Sequence, residues 1–241
     1  ARLDGGPTTS RTGLGTRVRS ILQDREGRLW YSTEGNGVIC YDGREFTAFT
    51  VRDGLLHNSV FSILQDRAGY LWFGTAAGVS RYDSHAPDQR SGRAWTAFTP
   101  KDGLGGDVVF SIFQDRDGHL WFGTIGWGVS RYDGKTWKTF TASDGLVHDV
   151  VTSIFQDRED QLWFGTGAGL SRYDGKTWST FTTETGLVHN EVYSAFQDRD
   201  GHIWFGTDGG VSRYDGQIFT TFTQADGLGD DEVYATFLDR Q

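Results

Sequence analysis

Residues Phe113 to Gly134 read FQDRDGHLWFGTIGWGVSRYDG, and the rest of the chain copies this stretch. Its core returns as LQDREGRLWYST from Leu22, LQDRAGYLWFGT from Leu64, FQDREDQLWFGT from Phe155 and FQDRDGHIWFGT from Phe196. The aspartate of each Q-D-R is Asp24, Asp66, Asp115, Asp157 and Asp198, with an echo at Asp239, at spacings of 42, 49, 42, 41 and 41 residues. A fixed period in this range marks a repeat architecture, in which one supersecondary unit is copied and stacked. A copied residue is therefore scaffold before it is anything else.

Each unit reads as four short strands. The first is V-x-S-I-x-Q, as in Val60 to Gln65, rich in β-branched and aromatic residues. D-R-x-G is too short for anything but a hairpin turn. The second strand, L-W-F-G-T, is nearly continuous in apolar residues, as a strand covered on both faces must be. A Gly-rich turn leads to V-S-R-Y-D, and an Asp-Gly turn (Asp42-Gly43, Asp133-Gly134, Asp174-Gly175, Asp215-Gly216) leads to W-x-x-F-T. A longer loop containing D-G-L joins one unit to the next. No stretch carries helical periodicity, so no helix longer than a turn is expected.

A four-stranded meander cannot bury both faces alone. Radial stacking into a β-propeller leaves only short protected edges, so the fold class is an all-β propeller of four-stranded antiparallel blades. Trp30, Trp72, Trp121, Trp163 and Trp204 are assigned to packing between blades, and Gly74, Gly123, Gly165 and Gly206 to close backbone approach. The whole of 1–241 is taken as one propeller domain, with units starting near 18, 60, 109, 151 and 192. Two partial units flank them. Residues 1–16 resemble the end of a unit, and 232–241 (EVYATFLDRQ) its first strand. Six blade positions are favoured, the closing one built from both termini, with a five-bladed ring as the alternative.

Composition narrows the function classes. With 37% hydrophobic and 15% aromatic residues the chain can bury sizeable cores, and 34 Gly against 3 Pro suit many tight turns. A net charge of −9 argues against nucleic acid, which rewards clustered Lys and Arg. No apolar run reaches the roughly 18 residues of a membrane-spanning helix. Cys40 is the only cysteine, which excludes an intrachain disulfide and makes it a small buried filler. The chain has no Met and no signal-peptide pattern, which reads as an excised domain or mature fragment.

The combination Q-D-R-x-G followed by W-F-G-T-x-x-G-V-S-R-Y-D resembles the two-component-regulator propeller repeat, which reads approximately D-x-x-G-x-L-W-x-G-T-x-x-G-L-x-x-Y. The match extends over nearly the whole chain. The resemblance implies a β-propeller of the kind found in extracytoplasmic ligand-sensing regions of bacterial hybrid sensor kinases, and hence a periplasmic or secreted location. It assigns no chemistry, since those repeat residues are structural.

Site candidates must come from positions that vary while the frame repeats. After the Val of each first strand stand Arg19, Phe61, Phe110, Thr152, Tyr193 and Tyr234, and before it Arg17, Ser59, Val108, Val150, Glu191 and Glu232. These fall near the channel mouth on the D-G-L face. Three loops on that face carry His57, His148 and His189, read mainly as loop caps and secondarily as a rim of bases or metal ligands. Trp127 is singular: the third unit has one extra residue in its T-x-x-G turn, and this Trp has no repeat-level packing task. It is a candidate anchor for a glycan or a planar molecule, with packing on a neighbouring loop as the competing reading. The turns Asp115-Arg116-Asp117-Gly118 and Asp198-Arg199-Asp200-Gly201 lack the alternating ligands of a calcium loop, and His119 and His202 beside them are expected to face solvent. The polar stretch Ser84 to Arg93 reads as a surface loop.

The leading function is a non-enzymatic ligand-binding or sensing propeller that takes a small molecule or glycan at the channel mouth, without cofactor or metal. The alternatives are a lectin-like propeller with one site per blade, a lyase using a rim histidine, and a duplicated scaffold with no ligand. No nucleophile–base pair or metal-ligand spacing supports the enzyme.

Overall fold

Each copy of the repeat folds into one antiparallel sheet whose four strands pair in chain order. The computed structural model describes residues 17–86 and 94–237. The first sheet comprises β1 (Val18–Gln23), β2 (Leu29–Thr33), β3 (Val38–Tyr41) and β4 (Phe46–Phe49). The second comprises β5 (Val60–Gln65), β6 (Leu71–Thr75), β7 (Gly78–Tyr82) and β8 (Trp95–Phe98). The third runs through β9 (Val109–Gln114), β10 (Leu120–Thr124), β11 (Val129–Tyr132) and β12 (Trp137–Phe140). The fourth runs through β13 (Val151–Gln156), β14 (Leu162–Thr166), β15 (Gly169–Tyr173) and β16 (Trp178–Phe181). The fifth holds β17 (Val192–Gln197), β18 (Ile203–Thr207), β19 (Gly210–Tyr214) and β20 (Phe219–Phe222). Helical structure among the described residues is confined to 3-10 turns such as Pro100–Asp102. The first strands β1, β5, β9, β13 and β17 touch in succession, which places the sheets side by side as propeller blades.

The tryptophan of each second strand is the joint between blades. Trp30, Trp72, Trp121 and Trp163 are buried, and each meets the phenylalanine of the next blade's second strand. The ring centroids of Trp30–Phe73, Trp72–Phe122, Trp121–Phe164 and Trp163–Phe205 lie 5.9, 5.8, 5.5 and 5.5 Å apart. A buried indole N–H needs an acceptor. The Q-D-R aspartate supplies it, for Trp Nε1 donates to Asp Oδ2 at 2.7 Å in all five units, from Asp24–Trp30 to Asp198–Trp204. Gln and Arg of the same motif join neighbours: the backbone N–H of Arg25, Arg67, Arg116 and Arg158 donates to the side chain of Gln65, Gln114, Gln156 and Gln197 of the following blade. Q-D-R is thus a turn, an indole acceptor and a latch between blades in three residues.

The second-strand glycine has a steric cause. A Cβ on Gly123 or Gly165 would lie 2.8 or 3.0 Å from the carbonyl oxygen of Val151 or Val192 on the next blade, so only glycine lets the inner strands approach this closely. Cys40 is buried among Trp30, Phe49 and Tyr82, and burial pushes its thiol up to about 11, which keeps it protonated.

The Asp-Gly turns carry an electrostatic prediction. Asp133 accepts from the backbone N–H of Thr136 and Lys135 and from the Thr136 hydroxyl, which hold its carboxyl down to about 2. Asp174 is held at about 2 by the backbone N–H of Thr177 and Lys176. A depressed folded pKa contributes stability above the ordinary value of 3.8 that is lost as pH falls toward 2. Acid unfolding followed by tryptophan fluorescence should therefore be shallower between those two pH values in an Asp133→Asn, Asp174→Asn double variant. An unchanged acid limb would show these turns to be neutral.

The two ends of the blade array differ from its middle. Ile21 is 62% exposed, whereas its equivalents Ile63, Ile112 and Ile154 are buried against a preceding blade. At the other end Trp204 and Phe222 are only half-buried. The expected 1–16 portion of a closing blade, and Pro87 to Arg93 of the second unit's long turn, lie outside the described residues.

Candidate functional site

In every unit the ladder between first and second strands slips at the same place. The paired residues skip from Val18 to Ser20, Val60 to Ser62, Val109 to Ser111, Val151 to Ser153 and Val192 to Ser194. The residues passed over are Arg19, Phe61, Phe110, Thr152 and Tyr193. A β-bulge leaves the extra residue without a cross-strand partner and re-aims its side chain. The position that varies most within the first strand is thus the one that sheet pairing does not constrain.

These side chains engage one another and the turns beside them. Arg19 pairs with Glu34 of its own blade. The rings of Phe61 and Phe110 stack across two blades, with centroids 4.4 Å apart and an interplanar angle of 18°. Thr152 turns its hydroxyl into the wall, where the carbonyl oxygens of Gly165 (3.0 Å) and Val192 both lie within reach of its one proton. Tyr193 and Tyr234 lie 5.0 Å apart. The Tyr193 hydroxyl reaches Glu191 at 2.9 Å and Asp208 at 3.1 Å, and that of Tyr234 reaches Glu232 at 2.6 Å. Burial, then these carboxylates, push the Tyr193 hydroxyl well above the ordinary tyrosine value.

The turn residue after each second-strand Thr completes the rim. The backbone N–H groups of Glu34, Ala76, Ile125, Gly167 and Asp208 donate to Arg17, Ser59, Val108, Val150 and Glu191, respectively. Asp208 was not a sequence candidate. The signal for it was available, since this turn position varies between blades as the bulged one does.

The D-G-L loops and the T-x-x-G turns share a face, for Gly35 and Gly37 donate to the Asn58 carbonyl, and Gly126 and Gly128 to that of Asp149. His57, His148 and His189 each accept at Nδ1 from the backbone N–H two residues on, at 2.9, 3.1 and 3.2 Å. Each imidazole is thereby tied into its own loop. Trp127 is 62% exposed, and its side chain lies over Gly106, where a Cβ would come within 2.5 Å of it. It therefore has one face on the loop and one toward solvent.

The turns on the opposite side differ from expectation in one respect. His119 and His202 do not stand free in solvent: Nδ1 lies 3.2 and 3.3 Å from the Asp115 and Asp198 carboxylates. Those carboxylates also draw the backbone N–H of the same histidine, so the ring folds back over the turn. Asp115, Asp117 and His119, like Asp198, Asp200 and His202, bring ligand atoms within 4.8 Å of one another. The buried Asp115 is nonetheless committed to Trp121, His119 and the turn.

The Two component regulator propeller repeat matches residues 12–35, 54–77, 103–126, 145–168 and 186–209. The chain belongs to the two-component-regulator propeller repeat family. Its fold is similar to the extracellular domain of the hybrid two component system BT3049 from B. thetaiotaomicron, at a TM-score of 0.78 and 26% identity, over 88% of this chain and 29% of that one. It is also similar to the extracellular domain of BT4673 from the same organism, at a TM-score of 0.72 and 22% identity, over 89% of this chain and 32% of that one. This propeller chain therefore spans about a third or less of those domains. Virginiamycin B lyase from Staphylococcus aureus shares the fold alone, at a TM-score of 0.67 and 15% identity, over 86% of this chain and 70% of that one. No curated protein matches the chain by sequence.

Proposed function

We propose that this propeller is a non-enzymatic ligand-binding module of an extracytoplasmic sensor, with one site at the mouth of its inner strands. The observation that carries the reading is the bulge: all five described first strands project their most variable residue out of the ladder at the same level. Packing asks the same of every blade, whereas a ligand without rotational symmetry does not. Four of the five repeated tryptophans, Trp30, Trp72, Trp121 and Trp163, are buried and cannot stack on sugars, which weighs against one lectin site per blade. A lyase draws no support from the mouth, where the histidines are held as loop caps.

Calorimetric titration with a panel of glycans and metabolites tests this. One site per chain is expected, with Tyr193→Ala and Trp127→Ala each weakening binding by about 1–2 kcal/mol. Several equal sites, or undiminished affinity in both variants with the fold intact, would move the site elsewhere.

The ring is proposed to have six positions, the sixth started by Glu232–Phe237 and completed by residues 1–16. Val233 donates to the Thr207 carbonyl at 2.9 Å, and its own carbonyl lies over Gly206 as that of Val192 lies over Gly165. A groove of about 490 Å³ beside this segment, lined by Phe196, Trp204, Val211, Phe222 and Leu228, has the place that the next blade's aromatic residues take elsewhere.

A further inference from the structure

One acceptor of the latch between blades has no donor among the described residues. At four joints the backbone N–H of the Q-D-R arginine donates to Oε1 of the glutamine on the following blade, at 2.9, 2.8, 2.9 and 2.9 Å. The accepting glutamine is aimed by its own amide, whose Nε2 donates to the glycine carbonyl of its own turn, as Gln65 does to Gly69 and Gln114 to Gly118. Gln23 of the first blade is held in the same way, with Nε2 on the Gly27 carbonyl at 3.4 Å. Its Oε1 therefore stands in the receiving position of a joint, on the blade whose Ile21 is exposed.

The sequence places a matching donor. Each latch arginine stands seven residues after the first Val of its blade: Arg25 after Val18, Arg67 after Val60, Arg116 after Val109 and Arg158 after Val151. Val233 is seated on the fifth blade by its bond to the Thr207 carbonyl, and Thr236 bonds to the Ser194 hydroxyl at 3.1 Å, so this segment runs alongside β17. Arg240 is seven residues after Val233, in the Asp239-Arg240 echo of the motif. The latch has a second contact that obeys the same order. The guanidinium of Arg25, Arg67 and Arg158 reaches the carbonyl of the corresponding arginine one blade on, Arg67, Arg116 and Arg199. Leu238 carries no amide, so the last unit keeps the donor half of Q-D-R and lacks the acceptor half.

We propose that Leu238 to Gln241 fastens the sixth position to the first blade, the Arg240 backbone N–H donating to Gln23 Oε1 and its guanidinium to the Arg25 carbonyl. The proposal rests on Glu232–Phe237 being the first strand of that position and adds what the strand is fastened to.

Amide hydrogen exchange of the full chain, read residue by residue by NMR, tests this. The Arg240 amide is expected to exchange at least tenfold more slowly than in an unstructured chain. Gln23→Leu removes the acceptor and should return Arg240 to the unstructured rate, while the Arg67 amide, bonded to Gln114, keeps its protection. Gln23→Glu keeps an acceptor oxygen and should keep Arg240 protected. Melting supplies an independent reading. Arg240→Pro removes the N–H at a turn position that suits proline, and it and Gln23→Leu should each lower the melting temperature by about 2–4 °C. Because both remove one bond, the double variant should lose no more than the larger single loss. An Arg240 amide that exchanges freely in the parent, or stays protected in Gln23→Leu, overturns the proposal, and so do additive losses in the double variant. The Val233 amide separates the two readings. Protection at Val233 without protection at Arg240 leaves the sixth position standing and removes its fastening; protection at neither overturns both.

Discussion

Replacing Trp121 by Ala should lower unfolding free energy by about 3–5 kcal/mol, the range for deleting a buried aromatic side chain. Trp121 is 1% exposed and packs on Phe140 of its own blade and on Phe164 and Tyr173 of the next. Its loss opens a cavity between two blades and strips the buried Asp115 carboxylate of its indole donor. Trp121→Phe separates the two effects. It keeps most of the ring contact and removes only the donor, at an expected cost of about 1–3 kcal/mol. The same truncation at Trp204 should cost distinctly less, because that ring borders the open groove rather than a complete blade. Urea denaturation of the three variants measures this. Equal losses at Trp121 and Trp204 would mean that the repeated Trp draws its stability from its own blade and not from the joint.

Deleting Glu232 to Gln241 should lower stability by about 2–3 kcal/mol and promote association. The energy comes from burial of the Val233 side chain and from two hydrogen bonds, Val233 N–H to Thr207 and Thr236 to the Ser194 hydroxyl. For a chain of this size that corresponds to a fall in melting temperature of roughly 5–10 °C. The association follows from geometry: removing the segment uncovers Gly206 and the inner edge of the fifth blade beside the already open ring of Trp204. An uncovered strand edge next to apolar surface is a template for pairing with another chain. Melting by circular dichroism and solution mass by light scattering read the two effects. If both stay at the parent values, the segment is not part of a sixth blade position.

The amino-acid sequence alone determined the blade. The period, the Asp-Gly and Q-D-R-x-G turns and the apolar L-W-F-G-T run are local signals: each first strand runs from the Val to the Gln, and the second, third and fourth strands end at the Thr, Tyr and Phe that the pattern marks. Stacking of blades was also legible, because a two-faced apolar strand has no stable alternative to being covered. Tertiary structure decided what no local pattern encodes. That Asp24 and its four counterparts hold the indoles, and that the Gln of one blade accepts from the turn of the blade before it, depends on contacts from 6 to 47 residues away. The fold-back of His119 and His202 onto their own aspartates was missed because turn composition does not specify side-chain rotamers. At the mouth, the varying column Arg19, Phe61, Phe110, Thr152 and Tyr193 was visible as variation. Its cause, a bulge in every first strand, and its division into apolar and acidic sectors arise only when neighbouring blades bring Phe61 onto Phe110 and Tyr193 between Glu191 and Asp208. The slip leaves the buried Val and Ile of a first strand three positions apart, as in Val109 and Ile112, which breaks the period-2 alternation there without specifying where the freed side chain goes.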